Sequence, residues 1–473
     1  MSTAELPALT AGEVAAAVGG RLGAGQATDL IRGMSIDSRA LSPGQLFFAI
    51  RGQRFDGHAF VAAALQQGAC GVVVSETAAV PAPEASRPVA IRIVVDDTTR
   101  ALQRLAHHIR RASGAQVVAI TGSIGKTTTK ELVAEVLAAR YRVFRNPGNL
   151  NNHIGLPLSL LELQARPQIA VVELGMSRAG EINTLMVIAE PEVRVWTNVS
   201  EAHAEFFDSI EAIADAKAEI MNGATTESVL VANANDPRVM ARARAFPGRV
   251  TTFGIETAAE VAATDVHDLG LDGSKAVVRT PVGTATFHSP LLGRGHLANV
   301  LASTAVALHF QIPLDTIVRR VAAFGPPRRR GEVLRLPGGV TLIDDSYNSS
   351  PAALRCALEA IREATPRGRR VAILGEMLEL GPRSEVLHEE CGRVAAAVGL
   401  DRLVTVGGRP AKALAAAAAA AGMTRASVRH VATSPAAADA AVELVRSGDL
   451  VLVKGSRGLR TDIVVERLKS EFT

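Results

Sequence analysis

Gln116-Val117-Val118-Ala119-Ile120-Thr121-Gly122-Ser123-Ile124-Gly125-Lys126-Thr127-Thr128-Thr129-Lys130 is the stretch that decides the fold. The apolar run Val117–Ile120 stops at a glycine-containing turn, and the helical spacing Leu132, Val133, Val136, Leu137 follows directly. Strand, glycine turn and helix in that order form a phosphate cradle. Glycine lets backbone N–H groups close round an oxyanion, and the helix beginning there adds about half a positive charge at its N-terminus. Gly122, Ser123, Ile124, Gly125, Lys126, Thr127 and Thr128 are the expected nucleotide contacts. Lys126 is placed to reach the terminal phosphates and the Thr127 hydroxyl to hold Mg²⁺. The general pattern G-x-x-x-x-G-K-[ST] has its first glycine where this chain has Ile120. The loop is therefore the T-G-x-x-G-K-T variant.

Composition narrows what surrounds this loop. A chain of 473 residues is too long for one ordinary core, and length alone suggests about three domains. With 51 Lys and Arg against 47 Asp and Glu, the net charge is only +4. One Trp and two Tyr offer few platforms for stacking bases, so nucleic acid is not an expected partner. Cys70, Cys356 and Cys391 are far apart in sequence, with no C-x-x-C pair. That argues against a disulfide framework or structural zinc and reads as buried, inert thiols. The N-terminus lacks the basic flank and apolar stretch of a signal peptide, and no run approaches the 18 or so apolar residues of a membrane span. A cytoplasmic protein is expected.

Residues 1–111 read as a small α/β unit. Asp37-Ser38-Arg39 and the short runs after it suggest strands joined by polar loops, where Ser38 and Arg39 could meet an anion or simply serve turn chemistry. Gly71–Val74 reads as a buried strand, Val80–Pro88 as a loop, Ala101–Arg111 as a helix and Ala112-Ser113-Gly114 as a hinge. Residues 112–325 alternate strands and helices, which predicts a doubly wound, mainly parallel sheet. Its strands include Ile169–Val172, ending in Glu173, and Val193–Asn198. Ligands of open α/β sheets gather beyond the carboxyl ends of strands, which directs Glu173 and Asn198 towards the phosphates. Ile210–Met221 reads as a helix carrying Lys217 among apolar neighbours, where burial would lower the lysine pKa. Thr251–His288 suggests an inserted β-ribbon. Phe324-Gly325-Pro326-Pro327 reads as a second linker, and residues 326–473 as a second doubly wound, Rossmann-like domain. Four strand ends are predicted there, among them Asp344-Asp345-Ser346-Tyr347-Asn348 and Lys454-Gly455-Ser456-Arg457. The Ala415–Ala421 run predicts a helix with Gly422 as its C-cap.

Taken together, TGSIGKTTTKE, NPGNLNNHIGLPLSLL (146–161), VVELGMSRAGEI (171–182), IADAKAEI (213–220), IDDSYNSSP (343–351) and LGEMLELG (374–381) resemble the Mur ligases. These are ATP-dependent amide-forming enzymes of peptidoglycan precursor synthesis. The resemblance spans essentially the whole chain. It implies three domains: an N-terminal UDP-binding domain, a central phosphate-loop ATPase domain and a C-terminal Rossmann-like domain. It also implies ATP and two Mg²⁺ as cofactors, with Thr127, Glu173, His203 and a carbamylated Lys217 around the metal, and Lys126, Lys217, His203 and Glu173 in the catalytic set. Asn299 matches an adenine contact, Arg330 a linker arginine and Asp345 a ribose contact. Ser38 and Arg39 match UDP contacts, while Asn149, Asn151 and Asn152 match residues near the muramoyl group. Tyr347 and Asn348 fall in the substrate region. There Asn348-Ser349-Ser350-Pro351 replaces the family's Asn-Ala-Asn-Pro. The implied substrates are a UDP-N-acetylmuramoyl-tripeptide and D-alanyl-D-alanine, joined by a monomeric enzyme. Two alternatives stay open at this point: a ligase adding a different amino acid or dipeptide, and a module that uses nucleotide only to rearrange its domains. Dependence of ATP turnover on the acceptor amine separates them.

Overall fold

The computed structural model describes residues 8–52, 55–76, 90–201, 204–365 and 367–472. The expected Val80–Pro88 loop and His203 lie outside the described residues. Three main sheets carry the fold. The N-terminal one has five strands in the order Arg21–Ala24, Ile91–Val95, Gly71–Ser75, Leu46–Phe48 and Met34–Ser35. All its pairings are parallel except the first. Gly71 serves close approach, since a Cβ there would sit 2.3 Å from the Ile91 carbonyl oxygen. The following helix, Thr98–Ser113, starts where Asp97 accepts from the Arg100 N–H at 2.8 Å and stops at Gly114 in the left-handed region. The expected hinge is therefore helical up to Ser113. Buried Arg110 donates to the carbonyls of Ala189 and Glu190 at 2.6 and 2.7 Å, which satisfies the open C-terminus of the helix Glu181–Ala189.

Nine strands form the central sheet, in the order Gly283–Ser289, Ser274–Thr280, Val261–Asp268, Arg249–Ile255, Val229–Asn233, Val193–Trp196, Gln116–Thr121, Ile169–Glu173 and Val143–Arg145. Val193–Trp196, Val229–Asn233, Arg249–Ile255 and Val261–Asp268 pair in parallel, and the two strands that follow turn antiparallel. The expectation of an inserted ribbon over Thr251–His288 is thus corrected. Phe253, Ile255, Val261, Ala262 and Ala263 are buried, and a segment with that much core surface extends the sheet instead of standing off it.

The C-terminal sheet has six strands: Glu332–Arg335, Thr341–Asp345, Leu450–Lys454, Arg370–Gly375, Arg402–Val406 and Val428–Val431. The inner four are the expected strands, parallel throughout. The outer two were not expected, because short, half-buried edge strands rich in Arg, Glu and His show no continuous apolar run. Apolar clusters cover both faces, as a doubly wound sheet requires. The alanine run lies in the helix Arg409–Ala420, whose C-cap is Ala421, with Gly422 one residue further on. Small side chains there permit close approach to the helix Ser384–Ala397, where a Cβ on Gly392 would sit 2.3 Å from the Leu414 carbonyl oxygen. Of the three cysteines, Cys391 is buried, Cys70 half-buried and Cys356 exposed. This corrects the expectation that all three are buried. Burial raises the Cys391 and Cys70 thiols to about 11.

The described chain groups into two compact units. One takes residues 8–119, 141–176 and 180–192, and the other 120–140, 177–179 and 193–472. Among the described residues no helix is long and apolar enough to cross a membrane.

Candidate active site

The second unit contains the phosphate loop. Gly122 has φ 148°, and a Cβ there would sit 1.9 Å from Thr197 Oγ1. Gly125 has φ 84°, and its Cβ would fall 2.3 Å from Asn299 Oδ1. Only glycine meets both conditions at these positions. The helix Lys126–Leu137 begins immediately after Gly125, with Thr127 and Thr128 in its first turn. The loop is stapled to the chain after the neighbouring strand. Asn198 Oδ1 accepts from the Ile124 N–H at 2.9 Å, and Thr197 Oγ1 donates to the Ile124 carbonyl at 2.8 Å. Ser123 N–H donates to the Asn198 carbonyl at 3.0 Å. Asn198, expected to point at phosphates, thus supports the loop that would hold them.

Lys126 Nζ donates to the carbonyls of Gly122 and Ser123 at 2.7 and 3.2 Å. Lys217, 1% exposed, reaches the same loop and donates to the Gly122 carbonyl at 3.2 Å. Burial, reinforced by the charge of Lys126, pushes the Lys217 amine well below the ordinary lysine range. The sequence expectation of a buried Lys217 therefore holds, and its environment favours the neutral, nucleophilic form.

Asn299 is buried near the start of the helix Arg294–His309. It accepts from Thr129 Oγ1 at 3.2 Å and lies 3.3 Å from His296 Nδ1. Burial lowers the His296 pKa, partly offset by Asp345 and reinforced by Lys454 and Arg330. Asp345, at the end of its strand, accepts from Lys454 Nζ at 2.6 Å, and the same ammonium donates to the Asn348 carbonyl at 3.0 Å. Lys454 is 3% exposed and closes an otherwise apolar strand, Leu450–Lys454. Sequence reasoning did not select it. A lysine ending a wholly buried strand was the available signal, because buried charge needs a partner. The Arg330 guanidinium stacks on the Tyr347 ring at 4.1 Å, with Arg457 at 5.8 Å from the same ring. Buried Asp344, whose carboxyl is raised by desolvation, binds the Ser346 backbone N–H at 3.1 Å and shapes the turn before Tyr347.

The first unit places the remaining candidates. Glu173, 3% exposed, ends its strand; its Oε1 accepts from Asn151 Nδ2 at 2.8 Å and its N–H donates to Asn146 Oδ1 at 2.9 Å. Asn152 Oδ1 accepts from the Ile154 and Gly155 N–H groups at 3.2 and 2.8 Å, a local turn leading into the helix Gly155–Leu160. Asn149 is exposed. Exposed Arg39 pairs with Asp37 in a bidentate geometry at 2.8 and 2.9 Å, and these bonds hold the Asp37 carboxyl at about 2. Ser38 between them is half-buried. No cluster of three or more His, Cys, Asp or Glu side chains that could hold a metal occurs among the described residues. The donors that fit Mg²⁺ chemistry are single oxygens, the Thr127 hydroxyl and the buried Glu173 carboxylate.

Comparison with known proteins accounts for all three sheets. Family profiles match in chain order: Mur ligase family, catalytic domain, at residues 30–110; Mur ligase middle domain at 120–307; and Mur ligase, glutamate ligase domain, at 329–457. A UDP-N-acetylmuramoyl-tripeptide–D-alanyl-D-alanine ligase of Bacillus subtilis is 35% identical over 439 residues, 93% of each chain. Its counterpart in Escherichia coli is 33% identical, covering 95% of this chain and 98% of its own. Among solved structures, MurF from Acinetobacter baumannii superposes with a TM-score of 0.87 at 29% identity, over 98% of this chain and all of the other. MurF ligase from Thermotoga maritima, solved with ADP, gives 0.79 at 29% identity, over 93% and 97% of the two chains.

Proposed function

The chain belongs to the Mur ligase family, and we propose from that premise that it joins D-alanyl-D-alanine to UDP-N-acetylmuramoyl-tripeptide, consuming ATP, in peptidoglycan precursor synthesis. The observation that carries the reading is the agreement in length and sequence with ligases of that name over nearly the whole chain. The three domains are 1–111 for the UDP-sugar, 112–325 for ATP and 326–473 for the remaining nucleotide and acceptor contacts. The enzyme works as a monomer in the cytoplasm.

The tripeptide's terminal carboxylate attacks the γ-phosphorus of ATP, ADP leaves, and an acyl phosphate forms. The neutral amine of D-alanyl-D-alanine then adds to the acyl carbon, phosphate leaves with the electron pair of the C–O bond, and the nitrogen gives up one proton as the amide forms. Such a reaction needs positioning and charge neutralisation more than an acid–base pair. Gly122, Ser123, Ile124, Gly125 and Thr128 orient the phosphates through the loop and helix N-terminus, and Lys126 neutralises them. Asn299 faces adenine and Asp345 the ribose, and Arg330 is the linker arginine of the nucleotide site. Lys454 fixes the Asp345 carboxylate in place. Thr127, Glu173, His203 and a carbamylated Lys217 would hold or organise two Mg²⁺, which supply charge neutralisation at the transferring phosphoryl group. Ser38 and Arg39 serve the UDP end, Asn149, Asn151 and Asn152 the muramoyl region, and Tyr347 and Asn348 the acceptor region.

Phosphate release tests the substrate assignment. It should require ATP, UDP-linked tripeptide and a D,D-dipeptide together, with single D- or L-amino acids inactive. Equal release with a single amino acid would assign the chain to another acceptor, and release without any acceptor would make it a nucleotide-driven module.

A further inference from the structure

After the strand Val193–Trp196 the chain is tied down at Ser200 and Glu201, and again at Glu205 and Phe206. The Ser200 N–H donates to Ser123 Oγ at 2.8 Å and Ser123 Oγ donates to the Ser200 carbonyl at 3.1 Å, so Ser200 is fastened to the phosphate loop. Glu201 and Glu205 both meet the loop that follows the C-terminal strand Arg370–Gly375. The Glu205 N–H donates to the Glu379 carbonyl at 3.1 Å, and Arg383 Nη1 donates to Glu201 Oε1 at 2.5 Å. Gly381 (φ 57°) abuts Glu205 so closely that a Cβ would sit 2.8 Å from its Cα. Glu379 is itself in the left-handed region, at φ 63°, a conformation that costs a non-glycine residue energy and persists only where surroundings enforce it. Arg178 completes the contact by stacking over Phe206 at 5.5 Å.

The gripping loop is built rigidly. His388 is fully buried; its Nδ1 lies 2.6 Å from the Ser384 carbonyl, which fixes the proton there and leaves Nε2 to accept the Met377 N–H at 2.9 Å. Ser456 Oγ accepts from the Leu378 N–H at 2.9 Å, and Glu376 Oε2 accepts from the Gly408 N–H at 2.6 Å. A loop pinned at three successive residues holds its shape, so force on its tip passes to the whole C-terminal sheet.

We propose that the loop of residues 375–383 is a latch on Glu201 and Glu205, coupling occupancy of the phosphate loop, through Ser123, Ser200 and the adjoining Glu201, to engagement of the C-terminal domain. Glu201, Arg383 and Gly381 are its positioning residues. They lie outside the expected nucleotide contacts and the expected acceptor contacts. The consequence for turnover rests on the ligase reading; the contact itself does not. An exposed ion pair is worth only a few-fold in an equilibrium. The glycine contact is stricter, because a side chain there meets backbone atoms.

The test uses the full-length protein and two readouts: the ligation rate, and hydrogen exchange at the Glu205 amide with and without a non-hydrolysable ATP analogue and Mg²⁺, which should slow that exchange in the parent. Equal exchange with and without the analogue would overturn the coupling. R383E and E201R should each speed exchange and lower kcat about three- to tenfold, and the charge-swapped double variant should return both to within about twofold of the parent. Gly381→Ala should speed exchange by at least about tenfold. Gly399→Ala is the control: its glycine has φ 75° but nothing within 4 Å of a Cβ, so it carries the same backbone strain without touching the latch and should leave exchange at Glu205 unchanged. A double variant as impaired as the single ones, or parental exchange in Gly381→Ala, would overturn the latch. Parental protection at Glu205 lost in the single variants and regained in the double supports the latch even if no ligation product forms; that absence would count against the ligase reading alone.

Discussion

Lys217→Ala should reduce ligation by about 10²–10³-fold, the range seen when one preorganised electrostatic element is removed, and added small carboxylic acid should restore part of the rate. The side chain is 1% exposed and 3.2 Å from the Gly122 carbonyl. An ammonium in that position would be both desolvated and repelled by Lys126, and both influences push its pKa down, burial first. The neutral amine can attack CO₂: an N–C bond forms, one proton leaves, and the side chain becomes an anionic carbamate. A neutral amine beside the Lys126 ammonium then becomes an anion that attracts it. Because the amine must be deprotonated to react, activity should fall as pH drops through the depressed pKa of Lys217. The variant rescued by a carboxylic acid has no such amine and should lack that acid limb. Rates across pH, with and without the added acid, check both points. Parental activity in Lys217→Ala would remove the carbamate from the mechanism.

Lys126→Ala should cost about 10³-fold in kcat/KM for ATP, since phosphoryl transfer relies on charge neutralisation at the transferring group. No neighbouring lysine can substitute. Burial disfavours the ammonium form of Lys217, which the carbamate would in any case make anionic, and Lys130 is wholly buried beside Glu131 at 3.0 Å. Lys126→Arg should recover little. Its planar fork is larger than an ammonium, and the pocket is bounded by the Gly122 and Ser123 carbonyls that Lys126 now contacts. Steady-state kinetics over ATP concentration, with thermal unfolding to confirm folding, make the check. A loss below about tenfold would mean that the phosphates lie elsewhere.

How much of this was legible in the sequence depended on whether each residue's role is local. Gly122 and Gly125 could be read, because a strand running into a glycine turn and a helix is a contiguous pattern. Lys217 could be read because its apolar neighbours at helical spacing implied burial. Glu173 followed from the rule that strand ends gather ligands, and Asp345 from the resemblance to the Mur ligases. The Lys454–Asp345 pair could not be read, since it joins residues 109 apart in sequence. Nor could the staple from Thr197 and Asn198 onto Ile124, which only the pairing of neighbouring strands brings together. Thr251–His288 misled because its alternating burial resembles an exposed ribbon, whereas Phe253 and Val261–Ala263 are core. The edge strands Glu332–Arg335 and Val428–Val431 were hidden by their polar residues. Asn152 looked like a substrate residue and also holds the turn ahead of a helix, a local task that sequence pattern alone does not separate from binding.

Mass spectrometry of the products formed from ATP, Mg²⁺, UDP-N-acetylmuramoyl-tripeptide and D-alanyl-D-alanine tests the central claim most directly. A D-alanyl-D-alanine ligase gives ADP, phosphate and a UDP-linked pentapeptide, heavier than the tripeptide substrate by the dipeptide less one water. ATP consumed with the UDP-linked tripeptide recovered unchanged, or extended by a single residue from an amino-acid mixture, would contradict it.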